Sequence, residues 1–179
     1  MADFQITIAG FGGQGVLFSG KAIAYTGLIE WPELSWLPSY GPEMRGGTAN
    51  CNVILSEKPV GSPIVTSPNV LIVMNEPSLD RYEDTVESGG KIFIDSSLIK
   101  RKVKRTDVEI YYIPATQMAN EMELTGLANM ILLGAMVNAT KCVTEANFEK
   151  ALQSIIPPRK AAMFEANLKA FKAGKEYKG

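Results

Sequence analysis

The sequence predicts a single α/β domain over residues 1–179, with a mainly parallel β-sheet flanked by helices. Three observations predict this class. Short apolar runs alternate along the chain with segments of helical periodicity. Several of these runs are continuously apolar, which is typical of strands that are covered on both faces. The first run also leads through a glycine-rich turn into a helix, and 179 residues are enough to bury a full core.

The apolar runs predict about five strands, and the first of them is followed by a helix. That helix carries Val16, Ile23 and Leu28 at near-helical spacing. The other runs are bounded by turn residues or alternate between small and apolar residues. The strands are predicted at residues 4–9, 48–55, 69–74, 91–95 and 109–114.

A strand, helix and strand are predicted between residues 69 and 95. Ser78 is a suitable N-cap for the helix, which should run to about Glu87. Gly89 or Gly90 can then adopt the left-handed conformation that ends many helices. Such a unit crosses over with a right-handed connection, as parallel strands require.

The last third of the chain is predicted to be helical. A short helix is expected at 115–123, and Thr125 should cap a helix to residue 140 that is apolar nearly all round. Such a helix is buried, either within the domain or against another subunit. Thr144 should cap a helix to residue 155, and a last helix from 159 should stop at Gly174.

Composition excludes several classes of function. The 18 basic and 19 acidic residues give a net charge of -1 without long blocks, so we expect no nucleic-acid or membrane partner. The sequence shows no basic leader and no long apolar segment, which predicts a cytoplasmic protein. The chain has no histidine and two widely separated cysteines, Cys51 and Cys142. We therefore predict no catalytic residue and no metal site in this chain.

The glycine-rich turn fits a dinucleotide-binding fingerprint. Gly10, Gly12 and Gly15 match GxGxxG between a strand and a helix, as in Rossmann-like domains. The acidic residue expected about 20 positions on is Glu30, but Glu30 lies at the end of the predicted helix rather than of a second strand. A stand-alone NAD(P)-binding oxidoreductase is therefore the alternative function. A tight turn without any ligand is a second alternative.

A second glycine-rich loop, "SYGPEMRGGTANCN", spans residues 39–52. Arg45 followed by Gly46 and Gly47 can present a guanidinium group beside exposed backbone amides, which suits a phosphate or a carboxylate. An internal ion pair between Glu43 and Arg45 would explain the same residues equally well.

Polar residues follow several predicted strands. Asn75 and Glu76 follow the strand at 69–74, and Asp95 ends the strand at 91–95. Since the carboxyl ends of parallel strands lie at one edge, these residues should gather beside the glycine turn and Pro114. Asp95 is equally suited to capping the "SSLIK" segment that follows it.

Several longer blocks make the sequence similar to the gamma subunits of 2-oxoacid:ferredoxin oxidoreductases. The blocks are "GFGGQGVLFSGKAIA", "SYGPEMRGGTANCNVILS", "GSPIVTSPNVLIVMNEPSLDRY", "GGKIFIDSS" and "NMILLGA". The resemblance implies a complex that decarboxylates a 2-oxoacid, reduces ferredoxin and releases an acyl-coenzyme A. It places thiamine diphosphate in the alpha and beta subunits, and iron–sulfur clusters in the beta and ferredoxin-like subunits. The second block favours 2-oxoglutarate as substrate, and the gamma chain alone is expected to be inactive.

The resemblance and the two loops together nominate a binding site. It would face either the path of coenzyme A or the alpha and beta subunits, and the sequence leaves both open. The nominated residues are Gly10, Gly12, Gly13, Gln14, Gly15, Ser39, Tyr40, Arg45, Gly46 and Gly47.

An interface is a further expectation for residues 31–38, interpreted as a loop. Trp31, Trp36 and Leu37, with Tyr40 beyond, are large apolar side chains that often anchor interfaces. Ordinary packing beneath this connection is the alternative. Deletion of 31–38 is expected to leave a foldable domain that no longer assembles. A pure assembly scaffold without ligand contact also remains open as a function.

Overall fold

A computed structural model describes residues 3–39 and 48–179, so Tyr40, Glu43, Arg45, Gly46 and Gly47 lie outside the described residues. No helix in these two ranges is long and apolar enough to cross a membrane. The strands are β1 (Phe4–Phe11), β2 (Glu33–Ser39), β3 (Thr48–Ser56), β4 (Val70–Val73), β5 (Lys91–Asp95) and β6 (Glu109–Ile113). The α-helices are α1 (Val16–Glu30), α2 (Glu76–Tyr82), α3 (Ala115–Glu121), α4 (Ala128–Thr140), α5 (Glu145–Ile155) and α6 (Ala161–Glu176).

The six strands form one sheet in the order β2-β3-β1-β4-β5-β6. β1, β4, β5 and β6 pair in parallel, whereas β3 pairs antiparallel with both β1 and β2. The predicted α/β class and mainly parallel sheet are confirmed. The sheet gains a strand that the sequence interpretation lacked, β2, at the edge next to β3.

Both faces of the central strands are buried, in two separate clusters. Val70 and Ile72 of β4 point into the larger cluster, which includes residues of α1, α4, α5 and α6. Leu71 and Val73, the alternate residues, pack with Leu79 of α2 in the smaller cluster. The continuous apolar run of β4 follows from this double burial, because alternate strand residues face opposite sides of a sheet.

Two glycines allow α4 and α6 to cross at very short distance. A Cβ atom on Gly134 would overlap the carbonyl oxygen of Phe171, and one on Gly174 would overlap that of Ile131. Met130 and Ile131 of α4 are fully buried inside the domain, which settles where the apolar helix packs. The predicted stop at Gly174 is wrong, because the helix continues to Glu176 and uses this glycine for close packing.

The segment 31–38 is mostly edge strand and not a loop. β2 pairs with β3 along its length, from Glu33 opposite Ser56 to Ser39 opposite Asn50. The Nε1 of Trp31 donates to the carbonyl of Cys142 at 2.8 Å, so this ring is tied to the domain itself. Deleting 31–38 would remove most of a strand and its aromatic anchor. The loop interpretation behind the deletion experiment is therefore wrong, and we now expect the deletion to destabilise the domain.

The predicted helix caps are partly corrected. Thr144 caps α5 as expected, with its Oγ1 accepting from the amide of Asn147. Asn75, not Ser78, caps α2, and its Oδ1 accepts from the amide of Ser78 at 2.8 Å. α4 begins after Leu127, so Thr125 is not its cap. The predicted 159–173 helix also begins slightly later, at Ala161.

Candidate functional site

The turn between β1 and α1 has a backbone that only glycine adopts easily. Gly13 has φ +93° and Gly15 has φ +77°, both in the left-handed region. Gly15 is the N-cap of α1, no side chain among residues 3–39 and 48–179 caps this helix, and its first turn contains no acidic residue. The first intrahelical bond runs from the amide of Ser19 to the carbonyl of Gly15 at 3.0 Å.

The start of α1 therefore presents hydrogen-bond donors. By helix geometry, the amides of Val16, Leu17 and Phe18 have no acceptor within the helix. The helix dipole adds a partial positive charge at the same place. This combination suits an anionic group such as a phosphate.

Gln14 links the ends of two parallel strands. Its Oε1 accepts from the amide of Phe11 at 2.6 Å, and its Nε2 donates to the carbonyl of Met74 at 3.1 Å. A Cβ on Gly10 would lie 2.7 Å from the Gln14 Oε1, so Gly10 makes room for this bridge. Within the chain, these two nominated residues fix the shape of the turn.

Two clefts flank the glycine turn, and Gly13, Gly15 and Phe18 line both. The smaller, about 290 Å³, is mostly apolar. Its other lining residues are Phe11, Gly12, Val16, Leu17 and Ala49. The larger cleft, about 370 Å³, lies between the turn, the α3–α4 connection and α6. It is completed by Glu123, Leu124, Thr125, Gly126, Leu127, Asn129, Met163, Ala166 and Asn167.

The second predicted loop is anchored next to this turn. Ser39, the last residue of β2, is exposed and lies opposite Asn50. Thr48, the first residue of β3, lies opposite Phe11 at the end of β1. Both described ends of the 39–48 connection therefore reach the edge of the sheet where the glycine turn begins.

Asp95, one of the polar residues predicted at this edge, is engaged within the domain. Asp95 is fully buried, and its Oδ1 accepts from the amides of Ser97 at 3.1 Å and Thr116 at 3.3 Å. Its Oδ2 accepts from the Thr116 hydroxyl. Of the two roles considered for Asp95, the bond from Ser97 shows the capping of the "SSLIK" segment, and the bonds from Thr116 also tie Asp95 to the start of α3.

Glu30, the acidic residue that a dinucleotide would need, has other partners. Its Oε1 accepts from the amide of Thr144 at 2.8 Å, the Thr144 hydroxyl at 2.6 Å and the Nδ2 of Asn147 at 3.0 Å. Glu30 lies at the C-terminal end of α1, away from the glycine turn at its N-terminus. Its carboxylate joins α1 to α5, and this weakens the dinucleotide interpretation.

The two cysteines are not activated as nucleophiles, and they do not form part of a metal site among the described residues. Burial raises the pKa of Cys51 to about 12 and that of Cys142 to about 11, so both remain thiols at neutral pH. Within residues 3–39 and 48–179, no group of three or more His, Cys, Asp or Glu side chains is arranged to hold a metal ion. Two cysteines also cannot supply the four thiolates of an iron–sulfur cluster.

Sequence reasoning did not single out Phe18 or Asn129, which lie at the turn. Asn129 is buried, and its Nδ2 donates to the carbonyl of Gly15 at 3.1 Å and to the hydroxyl of Ser19 at 3.0 Å. A Cβ on Gly15 would collide with the Asn129 amide. An asparagine in the first turn of a mostly apolar helix was the one available signal, because such a buried amide needs polar partners.

Comparisons with known proteins agree with the fold. Residues 5–177 match the family described as pyruvate ferredoxin/flavodoxin oxidoreductase. The chain is 37% identical over 176 residues to the ketoisovalerate oxidoreductase subunit VorA of Methanothermobacter thermautotrophicus, covering 98% of this chain and 36% of VorA. It is 34% identical over 175 residues to the 2-oxoglutarate synthase subunit KorC of Methanocaldococcus jannaschii, covering 96% of this chain and 92% of KorC. The chain thus spans about a third of the length of VorA and nearly all of KorC.

Solved structures give the same picture. The gamma subunit of a keto/oxoacid ferredoxin oxidoreductase from Geobacter sulfurreducens superposes with a TM-score of 0.84 at 30% identity, covering 98% of this chain and 96% of that one. The 2-oxoglutarate:ferredoxin oxidoreductase of Magnetococcus marinus has a TM-score of 0.85 at 24% identity. That alignment covers 98% of this chain and 31% of the other, and it supports the fold alone.

Proposed function

Because the chain belongs to the pyruvate ferredoxin/flavodoxin oxidoreductase family, we propose that it is the gamma-type component of a 2-oxoacid:ferredoxin oxidoreductase. In the proposed reaction a 2-oxoacid and coenzyme A give an acyl-coenzyme A, carbon dioxide and a proton, and two electrons pass to two ferredoxins. Thiamine diphosphate supplies the decarboxylation chemistry when bound by alpha and beta subunits. The gamma-type chain has no turnover of its own.

The observation that carries this chain's part is the uncapped N-terminus of α1 behind the glycine turn. Coenzyme A carries a pyrophosphate and a 3′-phosphate, and the first-turn amides of α1 suit such a group. Gly13 and Gly15 let the backbone approach closely, while Gln14 holds the turn on β4. In this proposal the chain binds and orients the coenzyme. Ser39, at the end of β2, and Arg45, in the 39–48 connection that follows it, are proposed to contribute to the same site.

The proposed substrate is 2-oxoglutarate. The relatives include KorC, named for 2-oxoglutarate synthase, and VorA, named for ketoisovalerate oxidoreductase. The proposed partners are alpha, beta and ferredoxin-like subunits in the cytoplasm, with ferredoxin as the electron acceptor. Contact of the same two loops with the alpha and beta subunits is the competing role for the nominated residues.

The experiment is to co-express the tagged chain with alpha, beta and ferredoxin-like subunits and to assay the purified complex. Coenzyme A-dependent reduction of a viologen dye is measured with 2-oxoglutarate, 2-oxoisovalerate and pyruvate. We expect activity in the complex, none in the isolated chain, and the highest kcat/KM with 2-oxoglutarate. A chain that purifies alone, turns over without partners and binds NAD(P) at micromolar concentration would overturn the proposal.

A further inference from the structure

A short basic block lies in the connection between β5 and β6. Five of the chain's 18 basic residues fall within six positions there: Lys100, Arg101, Lys102, Lys104 and Arg105. No acidic residue occurs between Asp95 and Asp107. The whole chain has a net charge of -1, so this block is a local concentration of positive charge.

The block presents its lysines on one side. Lys100, Lys102 and Lys104, here called the lysine ridge, are exposed. The half-buried residues that alternate with them are Arg101, Val103 and Arg105. A period of two is typical of an extended chain, in which successive side chains point in opposite directions. The three ammonium groups therefore face solvent together, while the other side chains face the domain.

A buried carboxylate holds the block against the end of α2. Glu83 is only 2% exposed, and its Oε1 accepts from the Nη2 of Arg101 at 2.8 Å. Its Oε2 accepts from the amide of Lys104 at 3.2 Å. The Nε of Arg101 also donates to Asp80, within α2, at 2.8 Å. Hydrogen bonds between charged groups are stronger than neutral ones, so these contacts hold the backbone of the block in place.

The rest of the block is anchored by further hydrogen bonds. The Nη1 of Arg105 donates to the carbonyls of Glu83 at 3.1 Å and Val86 at 2.9 Å. The amide of Val103 donates to the hydroxyl of Tyr112 at 3.0 Å, and Val103 packs against the smaller cluster. The lysine ridge therefore extends from an anchored backbone.

The arginine charges in the block are compensated, whereas those of the lysine ridge are not. Arg101 pairs with Asp80 and Glu83, and Arg105 pairs with Asp107. In the part of the chain that the structure describes, no carboxylate lies within 4.0 Å of an ammonium group of the lysine ridge. The ridge thus presents three positive charges that are available to a partner.

The lysine ridge and the larger cleft beside the glycine turn lie on opposite faces of the sheet. Val103 packs with Leu79 of α2 in the smaller cluster. The cleft is lined by residues of α1 and α6, and both helices pack in the larger cluster on the other face. A partner at the ridge therefore approaches from the opposite side of the domain to a ligand in that cleft.

We propose that the lysine ridge is a docking surface for ferredoxin, the acidic protein that accepts electrons in the proposed reaction. The inference rests on the proposed function. Exposed complementary charges raise the rate of association more than they strengthen a lasting complex, which suits a partner that binds, takes an electron and leaves. Lysine is depleted from the cores of protein interfaces, so a permanent subunit fits this surface less well. Because this chain has too few cysteines for a cluster, the docked ferredoxin also contacts the neighbouring subunit that donates the electron.

The test uses the assembled complex with Lys100→Gln, Lys102→Gln and Lys104→Gln combined. At about 20 mM salt we expect kcat/KM for ferredoxin to fall about tenfold, because three attractive charges are lost. At about 500 mM salt the wild-type and variant complexes should differ by less than about twofold, since salt screens exposed charges. Reduction of the viologen dye, which needs no docking surface, should stay within about twofold of wild type at both salt concentrations.

Two further variants separate docking from other effects of charge. The matched control combines Lys150→Gln, Lys160→Gln and Lys169→Gln, three exposed lysines in or next to α5 and α6. It removes the same number of charges from elsewhere on the chain, so it should change kcat/KM for ferredoxin by less than about twofold. Replacing the three lysines of the ridge by arginine keeps the charge and should restore at least about half of the wild-type value.

Four outcomes would overturn the inference. One is an unchanged kcat/KM for ferredoxin at low salt in the glutamine variant of the ridge. Another is an equal fall in the matched control, which would mean an effect of net charge alone. The third is a fall that persists unchanged at high salt. The fourth is failure of the ridge variant to assemble, which would assign the ridge to a permanent subunit.

The same experiment keeps this inference apart from the proposed function. Coenzyme A-dependent reduction of the viologen dye by the wild-type complex supports the proposed function whatever the ridge variants do. A wild-type complex that reduces neither the dye nor ferredoxin with any 2-oxoacid would contradict the proposed function itself.

Discussion

Glycines serve different purposes in two regions of this molecule, the turn between β1 and α1 and the crossing of α4 and α6. In the turn, Gly13 and Gly15 have positive φ angles that other residues rarely adopt. At the crossing, Gly134 and Gly174 have ordinary helical backbones, and what matters is the space that a Cβ would fill. One region uses backbone freedom, and the other uses the absence of a side chain.

The contrast distinguishes positions where a substitution should affect ligand binding from positions where it should affect folding. The turn lies beside two clefts and at the free N-terminus of a helix, so a change there should affect ligand binding. The crossing lies between two helices that are packed in the larger core, so a change there should affect folding. Variants that add a single methyl group test this separation directly.

The largest expected effect is at the helix crossing. Gly134→Ala and Gly174→Ala each place a Cβ within the van der Waals radius of a backbone carbonyl oxygen, which cannot move without separating α4 and α6. We expect each to lower the free energy of unfolding by about 3 kcal/mol, as strong overpacking does. Urea unfolding followed by circular dichroism measures it. A loss below about 1 kcal/mol would show that the helices separate easily.

Gly15→Ala should produce the next effect, and it should combine both kinds of loss. The new Cβ would strain a positive φ and would collide with the Asn129 amide, which then loses its bond to the Gly15 carbonyl. We expect about 2 kcal/mol of destabilisation together with a raised KM for coenzyme A. Unfolding curves and steady-state kinetics of the complex measure the two. A normal KM would break the link between this turn and the coenzyme.

Gly13→Ala isolates the ligand effect when it is compared with Gly89→Ala. Both glycines have positive φ, +93° and +81°, and a Cβ on either would meet no atom of the described part of the chain within 4 Å. The left-handed strain should therefore cost each about 1 kcal/mol of stability. Only Gly13→Ala should weaken coenzyme A binding, since Gly89 lies in the β4–β5 connection. Equal KM values in the two variants would contradict the comparison.

The smallest effect is expected for Gly61→Ala. This glycine lies in the β3–β4 connection, and its φ is not in the left-handed range. A Cβ added to it would meet none of the described atoms within 4 Å. Stability should change by less than about 0.5 kcal/mol, and a small gain from a stiffer unfolded chain is expected. Thermal unfolding measures the change. A large loss would mean that space and φ do not account for glycine effects in this chain.

The sequence predicted those parts of the fold in which local pattern and tertiary packing agree. The buried run of β4 and the cap at Thr144 are examples, because apolar periodicity and a hydroxyl before a helix act over a few residues. The glycine turn was also located correctly, with its positive φ angles at Gly13 and Gly15.

The rest depended on contacts that are distant in sequence. The side chain of Trp31 donates a hydrogen bond to the carbonyl of Cys142, 111 positions away, and β2 is defined by its pairing with β3. Neither interaction leaves a pattern in the neighbouring sequence. Gly174 was predicted to end its helix, but it lies within α6 and allows the close contact with Ile131. The role of Asn129 depends on its hydrogen bond to the carbonyl of Gly15, 114 residues earlier in the sequence. Binding by Gly12, Gly13 and Gly15, and by Ser39, remains a prediction.

The most direct measurement is hydrogen–deuterium exchange of the assembled complex with and without coenzyme A. We predict slower exchange over residues 13–18, where the glycine turn and the first amides of α1 would meet the coenzyme. The N-terminus of α5, residues 144–148, is the internal control, because Thr144 already caps it and it should not respond. Unchanged exchange at 13–18 in a complex saturated with coenzyme A would contradict binding of the coenzyme at this turn.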